Sequence, residues 1–150
     1  MARTKLFLDV DGVLLGKEAP GDPGVVLARH AEEFVDFILA HFDCYWLTTH
    51  CSGDTERVLR HLKRYCSPEL LAKLKMLKAT MWRTMKTEAL KGVSDFVWLD
   101  DAPLATELQW LKNKGLYDRW VRVDTRSEPD DLLRAMQVLS ALRAPDTPGC

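Results

Sequence analysis

The 150-residue chain has no apolar run approaching the roughly 20 residues that span a bilayer, so no transmembrane helix is expected. Its start, MARTKLFLDVDGVL, breaks off at an Asp after a short apolar run, which does not resemble the apolar core of an export signal. There is no low-complexity tract and no internal repeat, which excludes solenoids and biased disordered segments. A formal net charge of −1 leaves no global basic field of the kind that advertises nucleic acid or anionic membrane. Cys44, Cys51, Cys66 and Cys150 show no framework spacing and read as reduced thiols of a cytoplasmic protein. His41, His50, His61 and Cys66 lack zinc-site spacing, so no structural zinc is expected.

What is present is an alternation of short apolar runs and helical periodicities. Leu6–Phe7–Leu8 reads as a first strand, and the Gly- and Pro-rich residues 12–24 as a turn or short hairpin. Leu27, Ala31, Phe34 and Ile38 fall on one helical face. Cys44 to Thr48 reads as a second strand, and Val58, Leu59, Leu62 and Tyr65 as the next helix. Ser67-Pro68 predicts a capped helix start. Residues 73–81 have room for a short third strand, and a brief helix around Lys86 ends at Gly92. Phe96 to Asp101 is a further strand, Leu104, Leu108 and Leu111 mark a helix, and Trp120 to Val123 a last strand. Ser127-Glu128-Pro129-Asp130 caps a final helix bearing Leu132, Leu133, Met136 and Leu139. The expected fold class is α/β, three-layer and Rossmann-like around a central parallel sheet, with no separate cap domain. One domain is expected over residues 1–143, with 144–150 as a tail. Trp46 and Phe96 are expected in the core, and Trp82 and Trp98 in core or flap packing.

Two of these strands end in acids: Asp9 and Asp11 after the first, Asp100 and Asp101 on the later one. Four carboxylates at one sheet edge repel unless a cation sits among them. Oxygen donors without His or Cys suit a hard ion, and Mg²⁺ pairs carboxylates with substrate phosphate. Thr48, with Thr49 as a rival, offers a hydroxyl at the end of the second strand; Lys86 offers a positive charge near a helix start, where an anion fits. Together these are parts of a phosphoryl-transfer centre. Arg57, Arg60 and Arg64, with Lys63 beside them, form either a solvated helix face or a track for a phosphate backbone.

In order, DVDGVL, YWLTTH, MKTEAL and VWLDD resemble the four motifs of the haloacid dehalogenase-like (HAD) hydrolase superfamily, over roughly residues 5–125. The resemblance implies that Asp9 is the nucleophile of an aspartyl-phosphate and Asp11 the general acid/base. It implies that Asp9, Asp100, Asp101 and the Asp11 backbone carbonyl hold Mg²⁺, and that Thr48 and Lys86 steady the phosphoryl group. The short segments between motifs resemble capless members of the superfamily. WLTTH, WRTMKTEAL and VWLDDAP are similar to the HAD domain of Swiss Army Knife RNA-repair proteins, which implies RNA or DNA ends as phosphorylated partners. The rival expectation is a non-catalytic phosphate- or Mg²⁺-binding module of the same fold.

Overall fold

The computed structural model describes residues 3–143; Cys150 and the expected tail at 144–150 lie outside them. In chain order the elements are β1 (Lys5–Leu8), β2 (Leu15–Gly16), β3 (Val26–Leu27), α1 (Ala31–His41), β4 (Asp43–Trp46), α2 (Thr55–Leu62) and α3 (Pro68–Leu74). A 3-10 turn (Lys86–Leu90) precedes β5 (Phe96–Asp100) and α4 (Ala105–Asn113), and a second (Tyr117–Arg119) precedes β6 (Trp120–Arg122) and α5 (Asp131–Arg143).

The central sheet has the order β4-β1-β5-β6, with every neighbouring pair parallel. Its strands are short and apolar because both faces are buried, as parallel sheets require. Alternation along each strand separates the two faces. Leu6, Leu8, Cys44, Trp46, Val97 and Leu99 point into one core, shared with buried residues of α1, α2, α3 and α5. Phe7, Phe96 and Trp98 point into the other, with Leu90 of the first 3-10 turn and Leu111 of α4. Helix, sheet and helix therefore form three layers, compatible with a Rossmann-like fold. Each fully buried Leu or Phe contributes roughly 1.5–3 kcal/mol, so β1, with three such residues in four positions, anchors both cores.

Local chemistry sets the element ends. Asp54 caps α2 by accepting from Glu56 N–H at 2.9 Å, and Ser67 Oγ caps α3 by accepting from Leu70 N–H at 3.1 Å with Pro68 at the first turn. The Gly- and Pro-rich segment forms the flap that β2 and β3 close, antiparallel, with Leu15 opposite Leu27. Among the described residues no helix is long and apolar enough to cross a membrane. Cys44, Cys51 and Cys66 are free, and burial pushes the Cys44 thiol up to about 12 and Cys66 to about 11, so both stay protonated.

Several boundaries differ from the sequence reading. Leu27 belongs to β3 and not to the first helix, because its partner is the flap residue Leu15. The third strand expected within 73–81 is a single parallel bridge, Tyr45 to Lys78, since α3 runs as far as Leu74 and leaves little chain to pair. Tyr65 and Arg64 fall beyond the end of α2 at Leu62. Leu104 caps α4 from outside, and Leu133 is 40% exposed on the outer side of α5. Trp46, Phe96 and Trp98 are fully buried, while Trp82 is half-buried against the second core.

Candidate active site

The parallel register decides which residues meet at the carboxyl edge. Leu8 is level with Leu99, and Asp9 N–H donates to the Leu99 carbonyl at 3.1 Å. The next residue on each strand is therefore an acid, Asp9 beside Asp100. Ligand-binding crevices of open α/β sheets lie at this edge. Asp9, Asp100 and Asp101 each bring a carboxylate oxygen within 4.8 Å of the others. Asp9 is 6% exposed and Asp100 only 1%, so their charges cannot be left to water.

Lys86 answers them. Its Nζ lies 2.6 Å from Asp100 Oδ2 and 3.3 Å from Asp9 Oδ2, reaching in from the first residue of the 3-10 turn. Burial alone would lower the lysine, but the charges of Asp9 and Asp100 raise its pKa above the usual value. Asp100 is further satisfied by Ala102 N–H, which donates to Oδ1 at 3.0 Å, and Trp120 Nε1–H donates to its carbonyl at 3.0 Å. Asp9 is the unrelieved member: burial first, then the neighbouring Asp100 charge, push its carboxyl up to about 7 against the pull of Lys86. Asp101 is raised by the same two causes in the same order, although Arg126 Nη1 pairs with it at 3.1 Å.

The turn after β1 explains why glycine follows the second acid. Gly12 has φ +80° and a side-chain carbon there would stand 2.2 Å from Asp101 Oδ2. Only glycine lets the Asp9–Asp11 turn approach Asp101, the acid that follows β5. Thr125 N–H donates to the Gly12 carbonyl at 2.8 Å and its hydroxyl donates to the Val13 carbonyl at 3.0 Å. The loop after β6 thus laces the loop after β1 into place.

Asp11 points elsewhere. Its carboxylate meets His50 Nε2 at 2.9 Å and His61 Nε2 at 3.5 Å, outside the group formed by Asp9, Asp100 and Asp101. Burial alone would raise Asp11, but the hydrogen bond and charge of His50, and then the charge of His61, hold it below the ordinary carboxylate value. Thr48 is fully buried, two residues beyond the end of β4, and its Oγ1 accepts from His50 N–H at 3.3 Å. Among the described residues the Thr48 hydroxyl makes no hydrogen bond to the carboxylates, and Thr49 is exposed. The structure thus brings Asp9, Asp100 and Asp101 within 4.8 Å of one another and pairs Lys86 with the first two, with Asp11 and Thr48 in the adjoining loops.

Two glutamates that the sequence reading passed over position the lysine. Glu107 of α4, 3% exposed, accepts from Lys86 N–H with one oxygen and from Leu104 N–H at 2.8 Å with the other. Glu88 accepts from the N–H groups of Arg83, Thr84 and Met85, which hold its carboxyl below the usual value. Each acid sits three residues after its helix cap, but those caps, Met85 and Leu104, are not the Ser or Thr that announces such a pair in a sequence. His50 follows Thr48 and Thr49 and so adjoins the site by its position alone, whereas Arg126 and His61 carry no local signal.

The donors of the acidic cluster fit a hard divalent cation: all are oxygens, none is His or Cys, and the raised Asp9 and Asp101 mark excess negative charge. Such a cluster can bind a metal, orient a phosphorylated ligand beside Lys86, and offer a carboxylate as a nucleophile. No protein-family model matches the chain, and no curated protein matches it either.

Proposed function

We propose that the protein is a Mg²⁺-dependent phosphoester hydrolase of the HAD type that works through an aspartyl-phosphate on Asp9. The observation that carries this reading is the contact of Asp9, Asp100 and Asp101 within 4.8 Å, with Lys86 between two of them, at the carboxyl edge of a parallel sheet. Asp9 is the natural nucleophile, since its carboxylate is buried at the strand end and is destabilised by the neighbouring charge of Asp100. It attacks phosphorus, the bond to the leaving oxygen breaks, and Asp11, held below the ordinary carboxylate value at rest, passes to that oxygen a proton delivered through its hydrogen bond with His50 at 2.9 Å. Asp11 then takes a proton from water, which attacks the same phosphorus; the Asp9–phosphorus link breaks and inorganic phosphate leaves. Lys86, with Thr48 or Thr49, steadies the phosphoryl oxygens. Mg²⁺, held by Asp9, Asp100, Asp101 and the Asp11 carbonyl, supplies neutralising charge to the phosphoryl group.

Substrate is proposed to be the phosphorylated end of RNA or DNA. Arg57, Arg60, Lys63 and Arg64 are exposed and form no ion pair among the described residues. His61 of α2 reaches Asp11, so this basic surface lies beside the site. The free thiols suit a reducing cytoplasm, which we propose as the compartment.

The test is a turnover panel on chelator-treated protein: p-nitrophenyl phosphate, small phosphorylated metabolites, phosphopeptides, and 3′- and 5′-phosphorylated oligonucleotides. Expected is no turnover until Mg²⁺ is restored, then a preference for oligonucleotide ends that weakens steeply with salt while the small ester's rate does not. Absence of turnover across the panel, with a phosphate mimic such as beryllium fluoride still bound, would favour the non-catalytic module. Preference for a sugar phosphate sinks the nucleic-acid reading alone.

A further inference from the structure

We propose that Asp11, His50 and His61 form a second metal site, for a borderline transition ion of the Zn²⁺ class, beside the acidic cluster. The three residues come from the turn after β1, the loop after β4 and helix α2, so only the fold assembles them. One ligand atom from each lies within 4.8 Å of the other two. His50 Nε2 is 2.9 Å from Asp11 Oδ2, and His61 Nε2 is 3.5 Å from Asp11 Oδ1. Ligands bound at about 2.0–2.1 Å to one ion stand about 2.9–3.4 Å apart at octahedral or tetrahedral angles. The two separations, one to each Asp11 oxygen, lie at 2.9 and 3.5 Å, close to that range.

An independent observation points the same way. His61 Nε2 is buried and has no hydrogen-bond partner; its 3.5 Å approach to Asp11 is an ion-pair distance without hydrogen-bond geometry. Among the described residues this buried ring nitrogen has the Asp11 charge nearby but no hydrogen bond, which is costly; an ion shared with Asp11 and His50 supplies a direct partner. The imidazole rings are stacked with centroids 3.8 Å apart and planes 16° from parallel. Sharing one ion requires a ring to turn about its Cβ–Cγ bond, a torsion with a broad, shallow well in histidine. The side chains of Asp11, His50 and His61 are 41%, 27% and 34% exposed, so the cluster lies at the surface although His61 Nε2 itself is covered.

The donor chemistry separates this site from its neighbour. Two imidazoles and one carboxylate favour Zn²⁺, Co²⁺ or Ni²⁺, whereas the oxygen-only cluster of Asp9, Asp100 and Asp101 favours Mg²⁺. One consequence rests on the phosphatase reading: an ion bound to the Asp11 carboxylate removes the proposed acid/base, so Zn²⁺ inhibits turnover supported by Mg²⁺.

The experiment titrates Co²⁺ into chelator-treated protein in saturating Mg²⁺ and follows visible ligand-field absorption. Expected is one Co²⁺ per chain, displaced by Zn²⁺ and retained in Asp100→Asn. In His50→Ala and in His61→Ala the affinity falls by more than the roughly 100-fold typical of losing an outer partner, with far-ultraviolet circular dichroism unchanged. His50→Gln, which keeps a polar side chain on the loop, is expected to lose the band as well. No band in the wild type, a band surviving both histidine substitutions, or a band lost only in Asp100→Asn overturns the site. An intact cobalt band in a protein that hydrolyses no phosphoester supports the site and sinks the phosphatase reading.

Discussion

Metal-free Asp9→Asn protein is expected to unfold at a higher temperature than wild type at about pH 8, and with Mg²⁺ restored to turn over at least about 10⁴-fold more slowly. Both effects come from one carboxylate. Folding raises Asp9 from 3.8 to about 7, so the folded state holds that proton more tightly than the unfolded chain does. The stability this provides is fully present below about pH 4 and is lost as pH rises through about 7. Above that, wild type carries a buried charge facing Asp100 with only Lys86 to answer both. Asparagine removes the charge, keeps the shape, and leaves Lys86 on Asp100 at 2.6 Å. The gain is of order a few kcal/mol, since one pKa unit corresponds to about 1.4 kcal/mol. For a chain of this size each kcal/mol moves the midpoint by roughly 2–4 °C. The two proteins should converge below about pH 4, where position 9 is neutral in both, folded or unfolded. Thermal melts across pH check the sign: a wild type that gains stability relative to the variant as pH rises would contradict the buried-charge account. Loss of turnover follows because an amide is too poor a nucleophile to form the acyl-phosphate.

Lys86→Met should do the reverse. Removing the cation leaves Asp9 and Asp100 buried and facing each other, with side chains 9% and 2% exposed. Breaking a buried ion pair from one side costs about 3–5 kcal/mol, a large share of the roughly 5–15 kcal/mol that holds a domain together. Methionine keeps most of the volume, so the loss reports charge and not packing. Saturating Mg²⁺ should restore much of the stability, because a cation among Asp9, Asp100 and Asp101 offsets the same repulsion, yet turnover should stay low without Lys86 to meet the phosphoryl oxygens. Urea unfolding with and without Mg²⁺ separates the two. Unchanged stability in the absence of metal would mean that Lys86 does not offset these acids.

Much of this frame is legible in the sequence where burial and chemistry conflict within a few residues. An apolar strand that ends in Asp9, or in Asp100 and Asp101, is visible because such residues rarely end buried runs without a purpose. Gly12 is visible as a turn, though its real constraint, the nearness of Asp101, depends on the whole sheet. Leu27 misleads because a residue four before Ala31 fits a helical face equally well in strand or helix. Lys78 leaves no trace, since one bridging residue has no alternation to read. His50 and His61 are eleven positions apart, one on a loop and one on a helix, so only the packing of α2 places both rings on Asp11. Arg126 meets Asp101 across the loop after β6 for the same reason. Glu107 is hidden in the sequence because its cap is Leu104 and not Ser or Thr, and its second hydrogen bond, to Lys86 N–H, is tertiary.

The most direct test of the central claim is rapid acid quench of the Mg²⁺-loaded protein during turnover, followed by mass spectrometry of the tryptic peptide covering residues 6–17. The account predicts one phosphoryl group on that peptide, located at Asp9, removable by hydroxylamine and absent in Asp9→Asn. Sustained turnover with no phosphoryl group on the peptide, or with the group on Asp11 or a histidine, would contradict it.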